Sequence, residues 1–385
     1  MSWTFSVGEP IEFRHTTMMS HQTSTSFTWP ITHHDSELAT LVSRLSEADG
    51  PADHAGVWSQ ELWSILVDGG AAGWALPSEW GGPGLDRMTL LERYARVAVG
   101  SLTAAFVLSQ HDAGVRRLLA ASDRPSATHW LGEISEGRAF TTVGISQLTT
   151  SRRLGPRAMS ASGVAPGQYR LNGSMPWVTG AEHATVIVTG AALDDGRQLL
   201  LAVPTNRPGF SVRPPFALAA LQASSTSEVV CQDVLATDAD VLAGPSDDVM
   251  GTASAASTGG LETSALAMGQ ARAALDALHA EAPRREDLVE PVDALAEAWN
   301  RLWNALSETA QGKPGALTSG QIRGQANALV LRVTQAYLTA RKGTGFLRDD
   351  PAQRWARQAL FFLVWSCPGP VAQAAIRDLA GICST

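Results

Sequence analysis

The chain has 385 residues, of which 44% are hydrophobic and 17% charged, so it can bury a large interior spread over two or three domains. The formal net charge of −8 gives no sign of the basic face that a nucleic-acid-binding protein needs. The cysteines, Cys231, Cys367 and Cys383, have neither CxxC spacing nor histidine partners, which argues against a zinc site and favours a reducing cytoplasm.

The first 33 residues show no apolar periodicity, and we predict a mobile tail over 1–33. This segment lacks the basic region and apolar core that are typical of a signal peptide. No apolar run in the chain reaches the roughly 18 residues that would cross a bilayer. We therefore expect a cytoplasmic protein with no membrane partner.

Residues 34–137 have the three- and four-residue apolar spacing of amphipathic helices, which predicts an N-terminal helical domain. We expect the first helix to end in a loop at Asp49-Gly50-Pro51. A later helix, predicted from 103 to 119, carries the neighbouring pair His111 and Asp112. We interpret this pair as polar residues on the helix surface.

From 138 to 247 the pattern changes to short β-like runs separated by Gly, Pro and Asp, which predicts an antiparallel β-barrel or sandwich domain. Asn172-Gly173 follows one such run and favours a hairpin turn. From 248 to 385, long helical patterns joined by short loops predict a C-terminal antiparallel helix bundle. The predicted fold class is therefore α+β multidomain: an N-terminal helical domain, a central β-domain and a helix bundle.

Four passages match a known family in the same order along the chain. They are Ala75-Leu76-Pro77-Ser78-Glu79-Trp80-Gly81-Gly82, Leu171-Asn172-Gly173-Ser174-Met175-Pro176-Trp177-Val178-Thr179-Gly180, Ala267-Met268-Gly269-Gln270-Ala271, and Gly343-Thr344-Gly345-Phe346 with Pro351, Arg354 and Arg357. The second passage is the most specific, because it is similar to a Leu-Asn-Gly-Xaa-Lys-Xaa-Trp-Ile-Thr segment. With these passages, the chain from about residue 35 onward resembles the acyl-CoA dehydrogenase family.

The resemblance implies an FAD site between the β-domain and the bundle, with Trp177 stacked on the flavin and Thr179 at its polar edge. Residues two apart in a strand point to one face, so both side chains can meet one ligand. The alternative is that Trp177 is buried in a β core and Thr179 is a satisfied hydroxyl. Both interpretations stay open at this point.

The resemblance also implies flavin contacts in the segment after the first strand, from Ser146, Ser151 and Arg152. Ser146 stands where the family has a threonine hydroxyl. Arg152 stands where the family has a serine, and its guanidinium can pair with a pyrophosphate. It can equally be a solvated loop charge.

A further expected contact is Gly343, where the family places a Gly-Gly pair that lets the backbone approach the adenosine end of the flavin of a neighbouring subunit. One glycine is kept and the other has become Lys342. A helix C-cap glycine explains Gly343 equally well. The resemblance implies a homo-oligomer, a dimer or a tetramer.

Flavin-dependent desaturation of an acyl thioester needs a carboxylate that removes the α-proton while hydride leaves for the flavin. The family's usual glutamate falls on Ser366, whose hydroxyl cannot act as that base unaided. Some relatives carry the base at the start of the first bundle helix, where Glu262 is our candidate catalytic residue. The alternative is an acidic residue favoured in the first turn of a helix.

The resemblance implies an FAD-dependent oxidoreductase acting on CH–CH bonds of an acyl-CoA or a related substrate. Two alternatives stay open because the usual base is replaced. One is a non-catalytic or repurposed binding protein on the same fold. The other is a flavin monooxygenase or oxidase, which needs no α-proton base. We expect no metal site and no nucleic-acid partner.

Overall fold

The computed structural model describes residues 36–148, 159–252 and 260–382. The predicted tail over 1–33 lies outside these residues. Within them, no helix is both long and apolar enough to cross a membrane. The elements follow one another as helices, then strands, then helices.

Five helices form the first part of the described chain. They are α1 (Ser36–Ala55), α2 (Gln60–Asp68), α3 (Arg87–Gly100), α4 (Leu102–Leu119) and α5 (Pro125–Ser135). Side-chain oxygens cap the N-termini of several of them. The carboxylate of Asp86 accepts hydrogen bonds from the first free N–H groups of α3, and the hydroxyl of Ser101 accepts one from α4. Helix α4 is buried on nearly all sides, because it packs against α3, the β-sheet and the C-terminal bundle.

The predicted loop at Asp49-Gly50-Pro51 is wrong, because α1 continues through it to Ala55. The side chain of Asp49 is buried and accepts a 2.6 Å hydrogen bond from Ser101. Its other oxygen lies 2.9 Å from Arg354, near the C-terminus. These contacts stabilise α1 on both sides of Pro51. The helix lacks only the one backbone hydrogen bond that an N–H at this position would donate.

The central part is an eight-stranded sheet. Its strands are β1 (Thr141–Gly144), β2 (Ser160–Ala165), β3 (Gln168–Val178), β4 (Val186–Leu193), β5 (Gln198–Pro204), β6 (Phe210–Val212), β7 (Ser227–Thr237) and β8 (Val241–Ser246). The order is β6-β7-β3-β2-β4-β5-β8, with β1 beside β4, and the pairing is antiparallel except for β1–β4 and β2–β4. Both faces of β4 are buried: Ile187 packs into the β core, whereas Val186 and Val188 pack toward the helices.

The hairpin predicted at Asn172-Gly173 is also wrong, because β3 runs straight through this pair. The pairing of β3 with β7 shifts register here, which marks a β-bulge, and Gly173 has a φ of 127°. The side chain of Asn172 accepts a 2.9 Å hydrogen bond from the backbone of Asp233 on β7. The turn that joins β2 to β3 instead contains Gly167, with a φ of 70°.

The last part is helical again. It contains α6 (Val249–Thr252), α7 (Leu261–Glu281), α8 (Val289–Ala310), α9 (Ser319–Arg341), α10 (Pro351–Ala359), α11 (Phe361–Val364) and α12 (Gly369–Leu379). Helix α7 packs against α9 and also against α3, at the start of the chain. At this crossing a Cβ on Gly269 would lie 2.1 Å from the carbonyl oxygen of Ala95, so only glycine allows so close an approach. The predicted fold class is confirmed, whereas the domain boundaries at 34, 138 and 248 stay predictions.

Candidate functional site

Trp177 lies at the end of β3 and is the residue predicted to stack on a flavin. Its indole is 41% exposed. One side packs against Phe216, with ring centroids 4.6 Å apart and planes inclined by 46°. The alternative of a tryptophan buried in the β core is therefore wrong. Trp177 and Phe216 together form an accessible aromatic surface at this end of the strand.

Thr179 does not share that exposure. Strand β3 ends at Val178, and its register against β7 shifts between Met175 and Val178, so strict alternation is lost. The side chain of Thr179 is 1% exposed, and its Oγ1 lies 3.3 Å from Oγ1 of Thr226. Strand alternation alone therefore does not place Trp177 and Thr179 on one face, and their joint contact with a ligand stays a prediction.

Two further hydroxyls, which the sequence reasoning missed, join Thr179. The Oγ of Ser224 lies 2.9 Å from Oγ1 of Thr226, and the carbonyl of Ser224 accepts a 2.9 Å hydrogen bond from Gly180. The three hydroxyl groups of Thr179, Ser224 and Thr226 form a buried cluster directly after β3. The run Ser-Ser-Thr-Ser at 224–227 is the signal that could have found them.

Ser146 opens a short 3-10 turn after β1. Gln147 anchors this turn, since its side-chain amide donates to the carbonyl of Gly144 (2.9 Å) and to groups on β4. Gly144 lies against Met175 of β3, where a Cβ would be 2.5 Å from the methionine sulfur. Ser146 therefore lies close to the part of β3 that carries Trp177.

The other predicted contacts are placed differently. Ser151 and Arg152 lie outside the described residues, so their roles stay predictions. Glu262 and Gly343 both lie in the C-terminal bundle, at the start of α7 and just after α9. Within the described part of one chain, neither of these two residues forms a hydrogen bond or an ion pair with Trp177 or Thr179.

Glu262 is the second residue of α7 and belongs to a polar chain across three helices. Its Oε1 lies 3.8 Å from Nη2 of Arg116 on α4. Nη1 of Arg116 donates a 3.2 Å hydrogen bond to the hydroxyl of Tyr94 on α3. That hydroxyl donates a 2.5 Å hydrogen bond to Oδ2 of Asp112. A quarter of the Glu262 side chain stays exposed, whereas Tyr94 and Asp112 are fully buried.

Burial raises the pKa of Asp112 to about 7, although the hydrogen bond from Tyr94 and the charge of Arg116 lower it in part. Its Oδ1 has no hydrogen-bond partner among the described residues. The neighbouring His111 points elsewhere, with Nε2 3.1 Å from the carbonyl of Ala72, and burial lowers its pKa to about 4. The interpretation of this pair as surface polar residues is wrong.

In residues 36–148, 159–252 and 260–382, no three His, Cys, Asp or Glu side chains are grouped as metal ligands.

Comparisons with known proteins support the family resemblance independently of the four matching passages. No family model matches the sequence. The chain is 23% identical over 329 residues to the probable acyl-CoA dehydrogenase YngJ of Bacillus subtilis (strain 168), covering 80% of this chain and 86% of that protein. The fold matches that of butyryl-CoA dehydrogenase from Megasphaera elsdenii with a TM-score of 0.77 and 19% identity, over 91% of this chain and 99% of that one. The chain is acyl-CoA dehydrogenase-like in sequence and in fold.

A second solved structure widens the range of chemistry found on this fold. Dibenzothiophene monooxygenase (TdsC) from Paenibacillus sp. A11-2 matches with a TM-score of 0.73 and 16% identity, over 90% of this chain and 95% of that one. At this level of identity the match concerns the fold alone.

Ser366, where the resemblance places the usual base, lies in the loop between α11 and α12. Ser366 stands there with a φ of 42°, in the left-handed region of the backbone. The loop over 365–368 contains no acidic residue. This acyl-CoA dehydrogenase-like chain therefore offers no carboxylate of its own at that position.

The expected glycine pair after α9 also differs from the acyl-CoA dehydrogenase pattern. Lys342 ends the helix with a φ of 53° and a ψ of −142°, a conformation that glycine adopts far more readily. Gly343 does not have a positive φ, and a Cβ there would meet no atom within 4 Å. The interpretation of Gly343 as the helix C-cap glycine is therefore wrong, because Lys342 is the C-cap residue of α9.

Proposed function

We propose that the protein is an FAD-dependent oxidoreductase of the acyl-CoA dehydrogenase type, acting on a CH–CH bond of an acyl-CoA or related thioester. The observation that carries this proposal is the accessible aromatic surface formed by Trp177 and Phe216, in a chain that has this fold. The similarity to acyl-CoA dehydrogenases over four fifths of the chain supports it.

The residues present fit a flavin in two respects. An isoalloxazine is a flat apolar ring, and the exposed side of Trp177 offers a stacking surface for it. Ser146, held on a rigid turn beside β3, offers a hydroxyl for the polar edge. Thr179 is engaged with Thr226, so its contact with a flavin requires that hydroxyl pair to rearrange. The flavin would supply the hydride acceptor.

Glu262 is the proposed proton acceptor. Its position at the first turn of α7, with a quarter of its side chain exposed, leaves the carboxylate within reach of a ligand. Arg116 restrains it from α4, and Arg116 is itself restrained by Tyr94. A proton acceptor that is held in one place avoids the loss of rate that follows from misplacement.

The first experiment is an absorbance spectrum of the purified protein, before and after incubation with FAD. Flavin bands are expected, and anaerobic bleaching by an acyl-CoA such as butyryl-CoA would support the dehydrogenase reaction. A protein that stays colourless after the incubation contradicts the cofactor assignment and leaves the non-catalytic alternative. Normal FAD content with full bleaching in a Glu262→Gln variant would remove Glu262 from the reaction.

We predict that Trp177→Ala weakens FAD binding by more than about 1 kcal/mol, because the ring loses its stacking surface. The matched control is Trp130→Ala, which removes a tryptophan of α5 that packs beside His129. Titration of both apo variants with FAD, followed by fluorescence, measures the difference. Equal affinities in the two variants would show that Trp177 is not a flavin contact.

A flavin monooxygenase or oxidase is the second candidate, and Ser366 favours it because such a reaction needs no α-proton base. The fold match to a dibenzothiophene monooxygenase supports keeping this candidate. Oxygen uptake by the reduced holoprotein, without bleaching by any acyl-CoA tested, would favour this candidate over the dehydrogenase.

A further inference from the structure

Arg323, in the first turns of α9, is a buried cation without an acidic partner. Its side chain is fully buried, and no described carboxylate forms an ion pair with it. Two other arginines that are almost fully buried differ, since Arg354 pairs with Asp49 and Arg272 with Asp276. An uncompensated charge in a protein interior costs several kcal/mol, so a counter-charge is expected nearby.

Two of the three guanidinium nitrogens are occupied in holding the loop after α11. Nε donates a 2.9 Å hydrogen bond to Asn327, and Nη2 donates a 2.8 Å hydrogen bond to the carbonyl of Trp365. Asn327 in turn donates to the carbonyl of Phe362. These contacts cap the free carbonyls at the end of α11. Nη1 is buried and has no partner among the described residues.

The guanidinium of Arg323 and the N-terminus of α12 both favour negative charge beside the loop after α11. Arg323 has one ionisable neighbour among the described residues, the thiol of Cys367, which is half-buried. Cys367 stands two residues before α12, whose N-terminal N–H groups favour negative charge. The first turn of α12 packs beside Arg323, since a Cβ on Gly324 would lie 4.0 Å from Val371. The guanidinium stays protonated at neutral pH, because burial lowers its pKa only to about 10.

We propose that Nη1 of Arg323, together with the loop Ser366-Cys367 and the start of α12, forms a binding site for a small carboxylate. The resemblance places the family's catalytic carboxylate in this loop, where this chain has Ser366. The guanidinium of Arg323 lies behind the loop. A carboxylate brought by a ligand would therefore supply the missing counter-charge. The proposal does not depend on a bound flavin.

Cys367 provides a built-in reporter for this site. Iodoacetate and iodoacetamide alkylate a thiol by the same displacement: an S–C bond forms, iodide leaves and the thiol proton goes to solvent. They differ in that iodoacetate carries a carboxylate, so Arg323 should attract it. We expect the rate ratio of iodoacetate to iodoacetamide at Cys367, measured by peptide mass spectrometry, to exceed that of glutathione by about tenfold, which corresponds to ~1.4 kcal/mol.

Variants and competitors separate the site from general charge effects. Arg323→Gln should abolish the preference, whereas Arg332→Gln, which removes an exposed charge from the same helix, should keep it. Protection by acetate identifies a free anion as the ligand. Protection by succinyl-CoA, but not by acetate or butyryl-CoA, identifies the carboxylate of an acyl substrate.

If Arg323→Gln does not fold, measurements on the wild-type protein alone test the proposed carboxylate site. A rate ratio equal to that of glutathione, with no protection by acetate or succinyl-CoA, overturns the proposal and leaves a water molecule as the partner of Nη1. If Cys367 reacts with neither reagent, thermal unfolding replaces the alkylation. Acetate should then raise the midpoint above that in chloride of equal ionic strength for the wild type but not for Arg323→Lys, and equal midpoints in the wild type overturn the proposal.

Discussion

The carboxyl group of Asp112 is enclosed by α3, α4 and α7 and has one oxygen without a described partner. Its pKa is about 7 in the fold and about 4 in an unfolded chain. Between these values the unfolded chain has lost the proton and the folded protein has kept it. Stability therefore falls as the pH rises from about 4 to about 7, and stays level above that.

We predict that Asp112→Asn removes this fall. Relative to the wild type, the variant should gain stability on the order of a few kcal/mol between pH 4.5 and pH 8, because an amide has no proton to lose. Urea unfolding of both proteins at several pH values measures the difference. Parallel stability curves would mean that Asp112 is already ionised in the fold.

Lys342 stores strain at the end of α9, since its φ of 53° with ψ of −142° suits glycine. We predict that Lys342→Gly stabilises the protein by about 1 kcal/mol, which is the released strain less the extra entropy of an unfolded glycine. Lys342→Ala is the control, because it removes the ammonium group and keeps the strain. A gain of equal size in both variants would assign the effect to charge.

Burial of single polar residues was the part that the sequence could not reveal. Helix α4 is covered by other elements on nearly every side, so its sequence has no polar face. The burial of His111 and Asp112 therefore cannot be predicted from their position on the helix. Apolar periodicity reports the direction of one buried face, and it loses its meaning when all faces are buried. By contrast, Trp177 and Ser146 were placed near each other through a sequence resemblance that the fold match supports.

At the scale of elements, the Arg354 and Arg357 pair of the fourth matching passage joins α10 to α1. Arg354 lies 2.9 Å from Asp49 in a buried setting, and Arg357 lies 2.7 Å from Asp53 with more of its side chain exposed. The two arginines therefore connect the last helices of the chain to the first. They do so with one buried and one partly solvated ion pair.

We predict that Arg354→Met lowers the free energy of unfolding by about 3–5 kcal/mol, because it leaves the buried carboxylate of Asp49 unpaired. Arg357→Met, the matched control one turn away, should cost about 1 kcal/mol or less, since its pair is screened by water. Chemical denaturation measures both. Equal costs for the two variants would contradict the distinction between the buried and the solvated pair.

The sequence predicted most elements and failed where long-range contacts override a local signal. Asn-Gly is a strong hairpin signal, yet Asn172 is bonded to Asp233 on the neighbouring strand and the pair becomes a bulge. Pro51 is a strong breaker, yet the ion pair of Asp49 with Arg354 keeps α1 intact around it. Neither partner is close in sequence, so no local pattern contains the answer.

At the scale of the whole molecule, exposed apolar side chains concentrate near the C-terminus. Seven of the thirteen exposed large hydrophobic residues of the described chain lie between 346 and 382, including Phe346 (79% exposed) and Val364 (78% exposed). A contiguous patch of apolar side chains on a protein surface marks a binding surface, and these residues are the candidates for one. In the oligomer that the family resemblance implies, this end of the chain is the expected contact.

We predict that the protein self-associates through this end, giving a solution mass at least twice its 40.7 kDa in light scattering after gel filtration. Val364→Asp should increase the monomer fraction, because a charge would be buried at the contact. The control is Val164→Asp on β2, where a valine is 44% exposed. A wild type that runs as a monomer would remove the surface from consideration.

The contact of Gly269 with Ala95 sets the order in which the protein can mature in the cell. Helix α3 leaves the ribosome about 170 residues before the helix that covers it. At ~5–20 residues per second, the apolar side of α3 waits on the order of ten to thirty seconds for its cover. A nascent chain stalled in this interval exposes the apolar side of α3, and chaperones would bind it in that form. A fragment that stops after the β-sheet would aggregate for the same reason.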